Sequence, residues 1–180
     1  MTDAPILLAE DNPDDVLLTR QAFAKSGFAN PITAVPDGEA CLALLLPGSA
    51  ANETNETDKA NETADTDTAD AADAAGDDPE HDRPEHGALR PALLLLDINL
   101  PKIGGLEVLR RLRADRRTRA LPVVILTTSQ ERRDIVNGYL LGANSYVCKP
   151  ISFTRFVALV STLGTYWLSV NEPCPSLGGC

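Results

Sequence analysis

Leu93, Leu94, Leu95 and Leu96 make an unbroken apolar run that stops at Asp97. The run is too short for a helix core and is flanked by Pro91 and Pro101, so it suits a parallel strand buried on both faces. Asp97 then falls at the carboxyl end of the sheet, where open α/β sheets place their ligand crevice. Asn99-Leu100-Pro101 and Gly104-Gly105 follow at once and read as a loop leading into a helix.

Two further strand-like stretches end in charge. Ile6-Leu7-Leu8-Ala9 runs into Glu10-Asp11, and Tyr146-Val147-Cys148 runs into Lys149-Pro150. Three strand ends therefore deliver three carboxylates and one ammonium to one rim. Crowded carboxylates raise one another's pKa unless a cation neutralises them or a proton is retained. Magnesium, which prefers one or two carboxylates, a carbonyl, waters and a phosphoryl oxygen to a complete protein cage, matches this inventory.

The rest of the chain alternates in the same way. Strands are expected near Ile6–Ala9, Ile32–Val35, Ala92–Leu96, Val123–Leu126 and Ser145–Cys148, with helices near Asp14–Ser26, Glu39–Leu46, Gly105–Ala114, Arg132–Leu141 and Phe153–Leu168. Asn12 is a candidate cap for the first helix, with Pro13 at its first position, Asp14 and Asp15 complementing the macrodipole, and Val16, Leu17, Ala22 and Phe23 as its apolar stripe. Such alternation implies right-handed crossovers and a doubly wound, five-stranded parallel sheet, an α/β fold.

Glu10-Asp11, Asp97, Thr127 and Lys149-Pro150 stand in the order in which the receiver domain of two-component response regulators carries its acidic pair, phosphoacceptor, hydroxyl residue and Lys-Pro. The chain resembles that family along its length, apart from one insertion and the tail. Glu10-Asp11-Asn12-Pro13-Asp14-Asp15, Asp37-Gly38-Glu39-Ala40, Leu126-Thr127-Thr128-Ser129 and Tyr166-Trp167-Leu168 are similar to a narrower group, the small stand-alone regulators paired with phytochrome-type histidine kinases.

The resemblance implies a flavodoxin-like fold with strand order 2-1-3-4-5 and a single receiver domain over residues 1–170. It implies Asp97 as phosphoacceptor and Mg2+ bound by Asp11, Asp97 and the Asn99 carbonyl, with Glu10 acting through water. Lys149 would pair with Asp97 and then with the phosphoryl group. Thr127 and Tyr146 would form a switch in which Tyr146 turns into space that Thr127 vacates. Pro150 would make a cis peptide, as in relatives. Two departures stand out: Glu10 where the family more often has Asp, and Gly104-Gly105 where it has Asp-Gly.

The expected partners are a sensor histidine kinase and a second copy of the chain, joined through the fourth helix, fifth strand and fifth helix. Phe153, Phe156, Val160, Leu163, Tyr166 and Trp167 give the fifth helix more apolar surface than one core-facing stripe uses.

A net charge of −10 describes one segment rather than the body. Residues 50–87 carry thirteen Asp or Glu against Lys59 and Arg83, leaving thirteen acids and fourteen bases elsewhere. The region 48–90 has almost no large apolar residue and is expected to be a disordered insertion, and residues 171–180 a flexible tail. It contains His81 and His86, the only histidines, so the body has no imidazole for a Ser-His-Asp triad.

The Asn-X-Thr triplets at Asn52, Asn55 and Asn61 follow no signal peptide, and no run approaches transmembrane length. A cytoplasmic protein without membrane partners is expected. Cys148 and Cys41 are expected to be packed, and Cys174 and Cys180 to lie on the tail. Arg110, Arg111, Arg113, Arg116, Arg117 and Arg119 cluster near the end of the third helix without interleaved aromatics, which favours a solvated helix end over nucleic-acid binding.

A magnesium-dependent phosphohydrolase with Asp97 as nucleophile is the alternative from another class. Such enzymes resemble an Asp-X-Asp pattern, and here the second position is Asn99. A receiver-like interaction module that is not phosphorylated is a third reading, opposed by the complete set of site residues.

Overall fold

The computed structural model describes residues 4–48 and 87–174. Residues 49–86, on which most of the expected disordered insertion falls, lie outside the described residues, as do His81, His86, the three Asn-X-Thr triplets and Cys180.

Alternation of short apolar runs with helices gives β1 (Ile6–Ala9), α1 (Pro13–Lys25), β2 (Ile32–Val35), α2 (Gly38–Leu45) and β3 (Leu93–Leu96). Then follow α3 (Gly105–Ala114), β4 (Val123–Thr127), α4 (Arg132–Leu140), β5 (Ser145–Cys148) and α5 (Phe153–Gly164), which continues as a π-helical segment over Thr165–Val170. All strand pairs are parallel and the order is β2-β1-β3-β4-β5, as the sequence reading expects.

Period-2 geometry divides the apolar runs between two cores. Leu7, Leu94, Leu96 and Ile125 pack with Cys41, Leu42, Val108, Leu109 and Leu112 of α2 and α3. Ile6, Leu8, Leu93, Leu95, Val124 and Leu126 pack with Ala22 and Phe23 of α1 and with Phe156 and Val160 of α5. The three central strands are buried throughout, which explains why they read as continuous apolar runs.

The first two helices start at side-chain caps. Asn12 accepts from the Asp14 amide at 2.9 Å with Pro13 at the first position, and Asp37 accepts from the Ala40 amide at 2.7 Å. In α1 the buried positions are Thr19, Ala22 and Phe23, with Val16 half-buried; Leu17, expected in this stripe, is 54% exposed. At 3.6 residues per turn, positions 16, 19 and 23 share a face and position 17 points about 100° away.

The fifth helix does not stay α-helical to Leu168, because its last turns widen. Trp167 and Leu168 pack on the second core while Tyr166 is 51% exposed, so one terminal aromatic finds cover and the other does not. Cys41 is fully buried, and its thiol is pushed up to about 12 by desolvation and nearby Asp37. Cys148 is half-buried rather than enclosed, because β5 is an edge strand.

The arginine cluster is partly structural. Arg113 donates to the carbonyl of Gly142 (2.9 Å) and to Asn144 Oδ1 (3.0 Å), tying α3 to the loop before β5. Glu107, in the first turn of α3, accepts from Arg110 Nε (2.7 Å) and Arg111 Nε (2.9 Å), and these bonds hold its carboxyl down at about 2. A depressed carboxyl contributes stability above its unfolded pKa of about 4.5 that is lost as pH falls through about 2. The pairs are solvent-screened, so Glu107→Gln should cost only about 0.3–1 kcal/mol in a urea melt at pH 7. The difference from wild type should shrink as pH falls from about 4.5 towards about 2.

Candidate phosphoacceptor site

Parallel pairing carries the functional residues to one rim by extending the ladder a residue past three strands. The Glu10 amide donates to Val35 O (3.0 Å), the Asp97 amide to Ala9 O (3.0 Å) and the Lys149 amide to Thr127 O (2.8 Å). Glu10 and Asp97 thus stand side by side at the ends of β1 and β3, with Thr127 closing β4 and Lys149 following β5.

Asp97 is buried but fully engaged. Its Oδ1 accepts from Thr127 Oγ1 at 2.8 Å and from the Asn99 amide at 3.0 Å, and its Oδ2 accepts from Lys149 Nζ at 2.9 Å. Lys149 Nζ also donates to Asp15 Oδ2 at 2.8 Å and to Glu10 Oε2. Glu10 Oε1 accepts from the Asn12 amide at 3.2 Å.

Burial raises the Glu10 carboxyl above its ordinary range, with Lys149 opposing the shift. Burial alone would lower the Lys149 ammonium, but Asp15, Glu10 and Asp97 outweigh it and hold that group above its ordinary value. The rim therefore carries one fixed positive charge among an excess of carboxylates.

Glu10, Asp97, Thr127 and Lys149 come together as the sequence reading expects. Asp11 and Asn99 are exposed at the same rim. Tyr146 packs against the core on the α3 side and donates from its hydroxyl to Ser129 O at 3.1 Å. An added Cβ on Gly138 of α4 would come within 3.2 Å of the Tyr146 ring and 2.7 Å of Ile125, so the glycine makes room for that inward ring.

The expected cis peptide at Pro150 is not found, since no described bond is cis. Trans is favoured even before proline, and the Lys149 contacts form without the rarer isomer.

Two residues escaped the sequence reading. Asp15 reads locally as a helix-dipole acid, and in the structure its carboxylate reaches Lys149 from the first turn of α1. Ser129 links β5 to α4: its carbonyl accepts from Tyr146 and its hydroxyl donates to Asp134 Oδ2 of α4 at 2.7 Å.

The donor set suits a hard cation. Among the described residues no group of three His, Cys, Asp or Glu side chains forms a ready metal cage, yet magnesium needs only one or two carboxylates beside carbonyl and water. Asp11, Asp97 and the Asn99 carbonyl would hold such an ion, with Glu10 reaching a bound water.

Residues 59–161, more than half the chain, match the family model described as Response regulator receiver domain, and the chain belongs to that family. It is a signalling module of two-component systems rather than a metabolic enzyme. Among the particular proteins it resembles is the "Probable methanogenesis regulatory protein FilR2" of Methanothrix harundinacea, at 32% identity over 93% of this chain and 85% of that one.

In structure it is similar to the phosphorylated cyanobacterial phytochrome response regulator RcpA, with TM-score 0.69 and 29% identity, covering 96% of this chain and 99% of that one. It is also similar to the Mn(2+)-bound form of response regulator Rcp1, with TM-score 0.67 and 26% identity over 96% and 99% of the two chains. Among the described residues no helix is long and apolar enough to cross a membrane.

The loop that presents Asp97 depends on one glycine. A Cβ at Gly105 would sit 2.0 Å from the Asp97 carbonyl oxygen, whereas at Gly104 the nearest atom is 3.6 Å away. Gly105→Ala should cost about 1–3 kcal/mol or more in a denaturant melt through overpacking, and Gly104→Ala should stay within about 1 kcal/mol of wild type.

Proposed function

We propose that this receiver accepts a phosphoryl group on Asp97 from a sensor histidine kinase, with magnesium at the adjacent carboxylates, and signals through Thr127, Tyr146 and the α4–β5–α5 face. The observation that carries this reading is the arrangement on Asp97, with the Thr127 hydroxyl and Asn99 amide on one oxygen and the Lys149 ammonium on the other.

One Asp97 oxygen forms the new bond to phosphorus as the donor's bond to phosphorus breaks, and that electron pair leaves with the donor. The transferred group then presents oxygens to the same donors that now hold the carboxylate. Lys149 and Thr127 turn from Asp97 to the phosphoryl oxygens without leaving the rim. Bound magnesium would supply charge neutralisation between the donor phosphate and the acidic rim. The protein's own share is position and fixed charge.

The Thr127 hydroxyl also accepts from the Ser129 amide at 3.3 Å, so a turn of Thr127 is felt by the loop whose carbonyl holds Tyr146. α4 is tied to that loop by Asp134, and its exposed Val136, Tyr139 and Leu140, with Tyr166 and Val170 beyond α5, offer apolar surface for a second copy. Similarity to a phytochrome response regulator favours a photosensory kinase as the phosphodonor.

With acetyl phosphate and Mg2+, wild type should take up one phosphate per chain, and Asp97→Asn or an excess of chelator should abolish labelling in intact-mass measurements. Labelling of Asp97→Asn at wild-type level would refute the acceptor assignment. Sedimentation velocity tests the assembly: wild type should dimerise more tightly with a phosphoryl mimic, while Leu140→Asp and Tyr166→Asp should remain monomeric at concentrations where wild type associates. A wild type that is monomeric under all conditions would remove this interface.

A further inference from the structure

Asp15 has no role in the reaction as written above, yet its carboxylate takes one of the three N–H donors of Lys149. The other two go to Glu10 and Asp97, so the ammonium is fully committed. Glu10 and Asp97 are the groups expected to change partners when a cation and a phosphoryl group arrive. Asp15 is not: it comes from the first turn of α1 and stands on the Pro150 side of Lys149, lining a notch with Leu18, Ile151 and Phe153.

We propose that Asp15 is a positioning residue for phosphoryl transfer: it retains one Lys149 donor, so that the ammonium releases Glu10 to the hydrated cation while staying within reach of the phosphoryl group on Asp97. This rests on the reading of Asp97 as phosphoacceptor.

Two physical consequences point the same way. Without Asp15, the three Lys149 donors have only Glu10 and Asp97 to bind, and they compete with the cation for those oxygens. The local balance also changes: Glu10, Asp15 and Asp97 against Lys149 leave two net negative charges, and removal of Asp15 leaves one. Both effects weaken divalent-cation binding. They are separable, because Asp14 is the adjacent exposed acid in the same helical turn and is not among the Lys149 partners.

The test is calorimetric titration of the full, unphosphorylated chain with MgCl2, followed by labelling with acetyl phosphate across Mg2+ concentrations. Asp15→Asn should weaken Mg2+ binding about 10-fold or more, the magnitude typical of losing a group that orients a neighbouring ligand. Asp14→Asn, which reports the field alone, should change it by less than about 3-fold. Asp15→Glu should restore binding to near the wild-type value.

In labelling, Asp15→Asn should raise the Mg2+ concentration for half-maximal rate and still reach one phosphate per chain at saturation. Equal Mg2+ affinity in Asp15→Asn and wild type, or equal losses in the Asp14 and Asp15 variants, would overturn the proposal. Asp15→Ser provides the same comparison should the Asn variant melt below the assay temperature. Absence of labelling in wild type would instead refute Asp97 as acceptor, while the binding titration would still decide the role of Asp15.

Discussion

The Lys149 ammonium is the interaction on which the rim of this protein depends. It joins β5 to the ends of β1 and β3 and to the first turn of α1, binding three carboxylates at once. Removing one partner of a buried ion pair commonly costs about 3–5 kcal/mol because the other is left uncompensated, and here three carboxylates would be left. The same excess of negative charge that makes Lys149 necessary also makes the site receptive to a divalent cation. Structural cohesion and receptivity to a cation therefore arise from one charge imbalance, placed at the end of a sheet whose β1 and β3 strands are apolar throughout.

That placement is a consequence of parallel pairing. β1, β3 and β4 bury both faces, so their side chains have no freedom to carry polar groups until the strands end. Chemistry is pushed to the first residue beyond each strand, and the continued ladder fixes those residues with backbone hydrogen bonds rather than with loop packing. Gly105 lets α3 begin against the Asp97 carbonyl, and Gly38 lets α2 begin against the Ile103 carbonyl, where a Cβ would lie 2.0 Å from the oxygen. Lys102, at φ 61°, closes the same loop by reaching Asp37 at 2.8 Å and Glu39 at 3.1 Å. The acceptor loop is thereby held between two helix N-termini, and a change at Asp97 has few ways to be absorbed locally.

Much of this was legible in the chain because strand ends and strand interiors have opposite chemistry. The leucine run ending at Asp97 and the charged residues after Ala9 and Cys148 identify both the sheet and its functional edge. The errors have a common source, since a linear pattern names the neighbours of a residue along its own element and not those across space. Leu17 reads as part of the buried stripe because it is apolar, but the helical angle points it outward. Asp15 reads as a helix-dipole acid because that role is local, whereas its contact with a lysine 134 positions away is not. Ser129 carries no signal of its own, because two of its contacts use main-chain atoms that any residue would supply.

The acidic segment shows how such a site tolerates a large change in the chain nearby. The ends flanking it are drawn together by the Leu89 amide donating to Leu44 O at 2.8 Å, at the carboxyl end of α2 and just before β3 begins. β3 then runs four residues before Asp97, about 13 Å of extended chain at some 3.3 Å per residue. The entropy of closing a loop grows only with the logarithm of its length, so lengthening this connection costs little stability whatever conformation the intervening residues adopt. The junction is therefore pinned at the end of β3 opposite Asp97 and the Lys149 ammonium, so a longer connection there leaves the hydrogen-bonded rim where the ladder fixes it.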